Sequence, residues 1–348
     1  MLVAASVVSM IALAGCSSKD EKPSDNTTTD AQDLAQSMDV QDDAVTKDGI
    51  KSDAVVMVVG KEEITYSEIM VYIQMLKQQY EPVFTEDIWE FSVSKEQTFE
   101  DMAKDEIINQ VARLKIMGFE AKNMDVKLND DEKLEIEDSA VEFLQNVSMD
   151  DQKKYGFTPA VIEKIYTDNY LAEKMFNVMM ADVDSNVSDD EATAVNVKQI
   201  KITFNGMDKD GKSLTGTDAE KSAALKRIQT IYDNVVVNGK SFDYFAERYS
   251  DEPEVSMTLL KGDSAKYIEN AVFELKKGEY SQVVEGENAY YIFYCENDKD
   301  TSNLAENKEK IIARRQDEYF NEKYSQWLKD YDTFIVTELW NMIEFNKV

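Results

Sequence analysis

The hydrophobic period of this chain changes twice, and that change constrains the fold more than any other feature. Residues 195–204, VNVKQIKITF, alternate between two faces as a half-buried strand does, and YYIFYC at 290–295 closes the same segment as a second strand. On either side the period is helical. Thr65 with Glu68 forms a capping box ahead of Ile69, Tyr72, Ile73 and Leu76. Phe99, Met102, Ile107, Val111, Leu114 and Ile116 make an amphipathic stripe ending near Gly118 or a little beyond. Thr158 and Pro159 open another helix as N-cap and first turn. After residue 300 a long helix with few breakers carries Ile311, Ile312, Phe320, Tyr324, Trp327 and Leu328 as one stripe, interrupted near Asp330 to Thr333. That stripe needs a partner. The class is therefore α+β, with a helical domain built from both chain ends around an inserted domain, a small antiparallel sheet covered by helices.

Composition excludes some functions. With 38 basic and 69 acidic residues the formal net charge is −31, so the chain has little attraction for nucleic acid. The plain meaning of such a surface is solubility, although it also suits the neighbourhood of a wall or membrane where cations collect. The sequence contains no histidine. Asp208 and Asp210 lie in the loop NGMDKDGKSLTG without the glutamate of a calcium loop, so we expect a solvated turn, no metal site and no cofactor. The same loop lacks the arginines that would read a phosphorylated partner.

The first residues hold an apolar run ending in Leu13-Ala14-Gly15-Cys16, too short for a membrane span and resembling the lipobox of bacterial lipoproteins. The resemblance implies a signal peptide over 1–15 and a lipid on the Cys16 sulfur; an ordinary signal with a free Cys16 is the alternative. No Lys or Arg precedes the run, so the true start is expected upstream. Residues 16–53 are rich in Ser, Asp, Thr and Lys, and read as a disordered tether. Beyond it we expect a helical domain over 54–190, an inserted domain over 191–298, and a helix over 299–348 packing on the first. Cys295, the other cysteine, is expected to be a small core residue.

Within the insert, GKSFDYFAERYSD at 239–251 and AVFELKKGEYSQVV at 271–284 stand in the order found in the parvulin family of peptidyl-prolyl isomerases, which the segment resembles over about a hundred residues. With the lipobox and helical flanks, the chain resembles PrsA-type foldase lipoproteins and, more loosely, the periplasmic chaperone SurA. The resemblance implies an extracytoplasmic protein, anchored on the outer face of a Gram-positive membrane, that binds unfolded exported proteins and X-Pro segments. Oligomeric state stays open, a dimer included.

Catalysis by that family lowers an amide rotation barrier of about 18–20 kcal/mol with a proline pocket and polar groups, and no cofactor. Carried over by motif, the polar positions fall on Gln199, Tyr291 and Glu252, and the proline-pocket positions on Ser264 and Ile268. Two histidines of the family pattern are thus Gln199 and Tyr291 here, and only Glu252 keeps the family's acidic character. Gln199 and Tyr291 can both donate and accept, so a hydrogen-bonded pair is one reading. A strand residue with no special role and a core aromatic are the plainer ones, and we expect a degenerate site on a client-binding protein. A working isomerase and an envelope structural protein without a folding role are the alternatives.

Overall fold

A computed structural model describes residues 35–37, 39, 43–47, 49–95, 97–204 and 216–347. In chain order the strands and helices run β1 (Ala35–Ser37), β2 (Val45–Thr46), β3 (Gly49–Ile50), β4 (Val55–Val59), β5 (Glu62–Thr65), α1 (Tyr66–Phe84), α2 (Phe99–Asn123), α3 (Asp130–Gln145), α4 (Met149–Tyr155) and α5 (Pro159–Met180). They continue with β6 (Ala194–Thr203), α6 (Asp218–Tyr232), α7 (Phe242–Tyr249), β7 (Ser256–Leu259), α8 (Lys266–Val272), β8 (Val284–Glu285), β9 (Ala289–Asp300), α9 (Leu304–Trp327), β10 (Thr333–Ile335) and α10 (Thr337–Asn341). The chain divides into two compact units, one from residues up to Asp182 and from Glu318 onward, the other from Val183 to Asp317. The fold is mixed helix and sheet, as the change of period implies.

The first unit is mainly helical, and its caps are local sequence chemistry. Thr65, Thr98 and Asn129 each accept from the backbone of the third helical residue, whose carboxylate reaches back to the cap. Thr158 caps α5 with Pro159 at its first turn. Helix α2 ends at Asn123, a little beyond Gly118, because the flanking Met117 and Ala121 are buried and tertiary packing outweighs the glycine's propensity. Met102, read as part of the buried stripe, is 43% exposed. Five of the methionines that the sequence offers to clients are ordinary core: Met57, Met70, Met117, Met175 and Met179 are buried.

A four-stranded sheet in the order β1-β10-β4-β5 completes this unit, with β1 parallel to β10 and the other pairs antiparallel. Two expectations change here. The long C-terminal helix does not run straight on after its interruption; Thr333-Phe334-Ile335 is a strand between β1 and β4, whose β-branched residues suit that position, and only the short α10 follows. The expected tether contains β1 and the β2–β3 hairpin near its end. Backbone pairing with β10 supplies there what the polar composition does not advertise. Residues 1–34, with the leader and Cys16, lie outside the described residues.

The single stripe read along the C-terminal helix serves two cores. Ile311 is 1% exposed among Val187, Ala192, Ala194 and Leu260 of the second unit, whereas Phe320, Tyr324, Trp327 and Leu328 pack on the core of the first. Asn307 holds the early part of the helix by donating to the Ala192 carbonyl at 2.8 Å.

The second unit is an antiparallel sheet in the order β7-β6-β9-β8. Strand β6 divides its side chains as the alternation requires. Ile200, Ile202 and Phe204 join Tyr290 and Ile292 against α6 and α7, burying Ile228, Ile231, Phe242 and Phe245. Each fully buried side chain of this kind is worth about 1.5–3 kcal/mol. The opposite face carries Val195 and Val197 with Tyr291, Phe293 and Cys295, covered by Leu259, Ile268 and Val272. Cys295 is fully buried there, and burial pushes its thiol up.

Candidate functional site

The candidate site sits on the face of the β7-β6-β9-β8 sheet opposite α6 and α7, and the Ser-Asp of the first motif builds its edge. Ser250 and Asp251 follow α7 and fold back on β6. The Lys201 N–H donates to Ser250 Oγ at 3.1 Å, the Asp251 N–H donates to the Lys201 carbonyl at 2.8 Å, and Asp251 Oδ2 accepts from the Thr203 N–H at 2.9 Å. Arg227 of α6 donates to Asp251 Oδ1 at 2.7 Å and to the Tyr249 carbonyl at 2.9 Å. The motif is therefore a stitch between a loop and a strand. Its consequence is positional, since the next residue, Glu252, is brought beside Lys201, whose Nζ donates to Glu252 Oε2 at 3.2 Å. Both side chains are partly exposed, 23% for Lys201 and 33% for Glu252, so the pair is reachable from solvent.

Gln199 lies two residues before Lys201 on the same face. It is 7% exposed, and its amide donates to the Glu254 carbonyl at 3.0 Å while its backbone N–H donates to the Val255 carbonyl at 2.8 Å. Both ends of the residue close the loop leading into β7. The strand register sets Gln199 opposite Phe293 and Tyr291 opposite Lys201, so Gln199 and Tyr291 are not cross-strand partners.

Tyr291 is 5% exposed and belongs to an aromatic layer. Its ring lies parallel to Phe293 with centroids 5.8 Å apart, and the Tyr267 ring of α8 sits 6.0 Å away. The hairpin turn at Gly286 passes against both tyrosines. A Cβ there would meet the Tyr291 ring at 2.7 Å and the Tyr267 ring at 2.8 Å, so only glycine fits. Ile268 is 5% exposed within the same cluster, and Ser264 stands half-buried just before α8.

The fold thus gathers Gln199, Tyr291 and Ile268 on one covered face, keeps Glu252 at its rim, and leaves Ser264 in the loop ahead of α8. Sequence reading missed Lys201, Met257 and Tyr267. Lys201 was legible from the period of two, because it must share the face of Gln199. Met257 packs on this cluster from β7, opposite Val197, a methionine on this face from an element that the motif alignment did not use. Among the described residues no cluster of acidic and cysteine side chains could hold a metal ion.

Comparison with known proteins gives the class first. The family model of the PPIC-type PPIASE domain, a rotamase, matches residues 207–297, so the second unit carries a parvulin-type domain. That match covers about a quarter of the chain. Among curated relatives, the chain is similar to the foldase protein PrsA of Caldanaerobacter subterraneus, 26% identical over 260 residues that cover 72% of this chain and 75% of that protein. It is similar also to the foldase protein PrsA of Staphylococcus aureus, 25% identical over 159 residues, 43% of this chain and 47% of that protein. The crystal structure of the peptidylprolyl isomerase PrsA from Bacillus cereus aligns over 84% of this chain and 91% of that one, at 15% identity and a TM-score of 0.39. The domain match and the curated relatives together support a PrsA-type foldase with a parvulin domain. No helix among the described residues is long and apolar enough to cross a membrane.

Proposed function

We propose that the chain is an extracytoplasmic, lipid-anchored foldase whose helical unit binds unfolded exported chains and whose parvulin-type site is degenerate. The relatives' names support the foldase part; the state of the site rests on its own chemistry. One observation carries it: the face where a proline ring would sit is filled by Tyr291 and Ile268, each 5% exposed, with Gln199 committed to the Glu254 carbonyl at 3.0 Å. A site of this kind must hold proline and favour a twisted amide whose nitrogen has lost conjugation. A packed aromatic layer leaves no room for the ring, and the Gln199 amide is turned to the Glu254 carbonyl. The leader over 1–15, the lipid on Cys16 and the tether to about Asp53 belong to this reading, with 54–190 and 299–348 as the client-binding part and 191–298 as the parvulin part.

A second reading has its own support. The half-exposed Lys201–Glu252 pair, 3.2 Å apart, offers a cation and a carboxylate at the rim, and an X-Pro segment lying there would be polarised by them. The test is a cis/trans exchange assay by NMR on X-Pro peptides with wild type and Glu252→Ala, run beside aggregation of a denatured secreted protein. Our reading expects no acceleration above the uncatalysed rate together with suppressed aggregation. Acceleration lost in Glu252→Ala moves the function to the second reading. Neither activity leaves an envelope structural protein.

A further inference from the structure

The first unit presents an apolar tip with an acidic rim. Helix α1 ends in Pro82-Val83-Phe84, and Val83 is 72% and Phe84 54% exposed. A 3-10 turn, Glu86–Glu90, leads on to Phe91, 61% exposed, and Val93, 40% exposed; Met102 in the first turns of α2 is 43% exposed. The turn advances about 2 Å per residue, so its two ends stand roughly 10 Å apart, within reach of one bound segment. Phe91 and Met102 belong to the same local structure, since the Phe99 N–H donates to the Phe91 carbonyl at 2.8 Å and Ser92 bridges Thr98.

The tip is held rigidly from below. Trp89, in the turn, is 1% exposed, lies edge-on to Phe345 at 4.8 Å, and donates its indole N–H to Glu81 at 2.9 Å. Thr85, between helix and turn, has φ +63 and ψ 176, a conformation costly for a β-branched residue. A buried anchor and a strained hinge therefore hold apolar side chains in water.

The charge around the tip says what covers it. From Glu81 to Asp105 the chain carries eight acidic residues and two lysines. Glu86, Asp87 and Glu90 are exposed on the turn itself. A second copy would bring the same carboxylates, on a chain of net charge −31, and an anionic lipid surface would be repelled likewise. A chain segment with apolar or aromatic residues interleaved with Lys or Arg satisfies both parts of the surface. We infer that this tip is a docking site for basic, apolar segments of unfolded polypeptide, which deepens the foldase reading by naming the client chemistry and rests on it.

Fluorescence anisotropy on the full chain tests this with three labelled peptides: one alternating Leu or Phe with Lys, one with Glu for Lys, and one with Ser for Leu and Phe. The Lys–apolar peptide binds, and each of the others binds at least about 10-fold more weakly. Phe84→Ser with Phe91→Ser, and separately Glu86→Gln with Asp87→Asn and Glu90→Gln, each weaken the Lys–apolar peptide by about 10-fold or more. Tryptophan emission and circular dichroism check that the variants fold. If the Lys–apolar peptide binds and both variants bind it as wild type does, client binding stands and the tip is overturned. If wild type binds no peptide, both fall. Concentration-dependent self-association lost in the Phe variant, with peptide affinity unchanged, makes the tip an interface between copies and overturns the inference.

Discussion

Lys115 is the cation on which the interior of the helical unit turns. Its side chain is 3% exposed, with Glu62 at 2.7 Å, Asp168 at 2.5 Å and Glu68 at 3.7 Å, while Lys164 reaches the same two glutamates. Strand β5 and helices α1, α2 and α5 meet in this one cluster. Burial pushes the Lys115 ammonium down, but Asp168 and the two glutamates outweigh it and hold the group above its ordinary 10.5. Burial raises Glu62, yet Lys115 and Lys164 bring it below 4.5, whereas at Asp168 burial wins and its carboxyl stands above 3.8. A cation raised on folding contributes stability that is complete below 10.5 and lost as pH climbs through its higher folded value. Glu62 contributes stability present above 4.5 and lost in acid, and Asp168 works against it there, so the acid limb is blunted. Lys115→Met leaves three carboxylates without their shared cation, and we expect a loss of about 3–5 kcal/mol in urea denaturation at neutral pH. Half-buried Tyr66 and buried Tyr166, both held at about 12 by burial, also cost stability in alkali. The readout is therefore the difference: wild type falls more steeply above pH 10.5 than the variant, and parallel curves would refute the role of Lys115. None of this was legible in the sequence, because Lys115 meets Glu62 and Asp168 across 53 residues of chain on either side. Glu252 was legible, since it follows a motif that fixes its own geometry through adjacent backbone groups.

At the scale of elements, what could be read was what is written locally. The capping boxes at Thr65 and Thr217 need only a residue and its third neighbour, and both are formed. Strand β10 needs β4 and β1, at the far end of the chain, and its short Thr-Phe-Ile run reads equally well as helix continuation. The junction after α1 was invisible for a different reason, as nothing in Pro-Val-Phe-Thr-Glu announces a left-handed threonine. Thr85 at φ +63 carries strain that glycine would relieve, less the extra entropy glycine loses on folding. Thr85→Gly should raise stability by up to about 1 kcal/mol, while Thr85→Ala, which keeps a Cβ, should not. Urea midpoints for the two variants check this. Equal midpoints would mean that the junction is unstrained, and would remove one of the supports of the apolar tip.

On the scale of the whole molecule the topology predicts which part depends on which end. The unit built from both termini takes β10 from the last residues as an inner strand of its sheet, and the carbonyl of Phe345 accepts from buried Lys77 at 3.0 Å. The same phenylalanine closes over Trp89 with centroids 4.8 Å apart. The second unit, Val183 to Asp317, uses none of these groups for its sheet or cores. A chain ending at Asp317 therefore loses an inner strand, leaving β1 without its partner and one side of β4 unpaired, and uncovers the aromatic cluster of Tyr80, Trp89 and Phe99. Of the three tryptophans only Trp89 survives this truncation, so its emission reports the first unit alone. We expect that emission to shift to the red, as for a tryptophan in water, while the tyrosine-rich second unit retains a cooperative thermal transition by near-ultraviolet circular dichroism. A buried Trp89 in the truncated chain would mean that the N-terminal helices hold their core without β10. Loss of both signals would mean that the parvulin-type unit does not fold without its flanks, and that the two cores served by helix α9 form one cooperative structure.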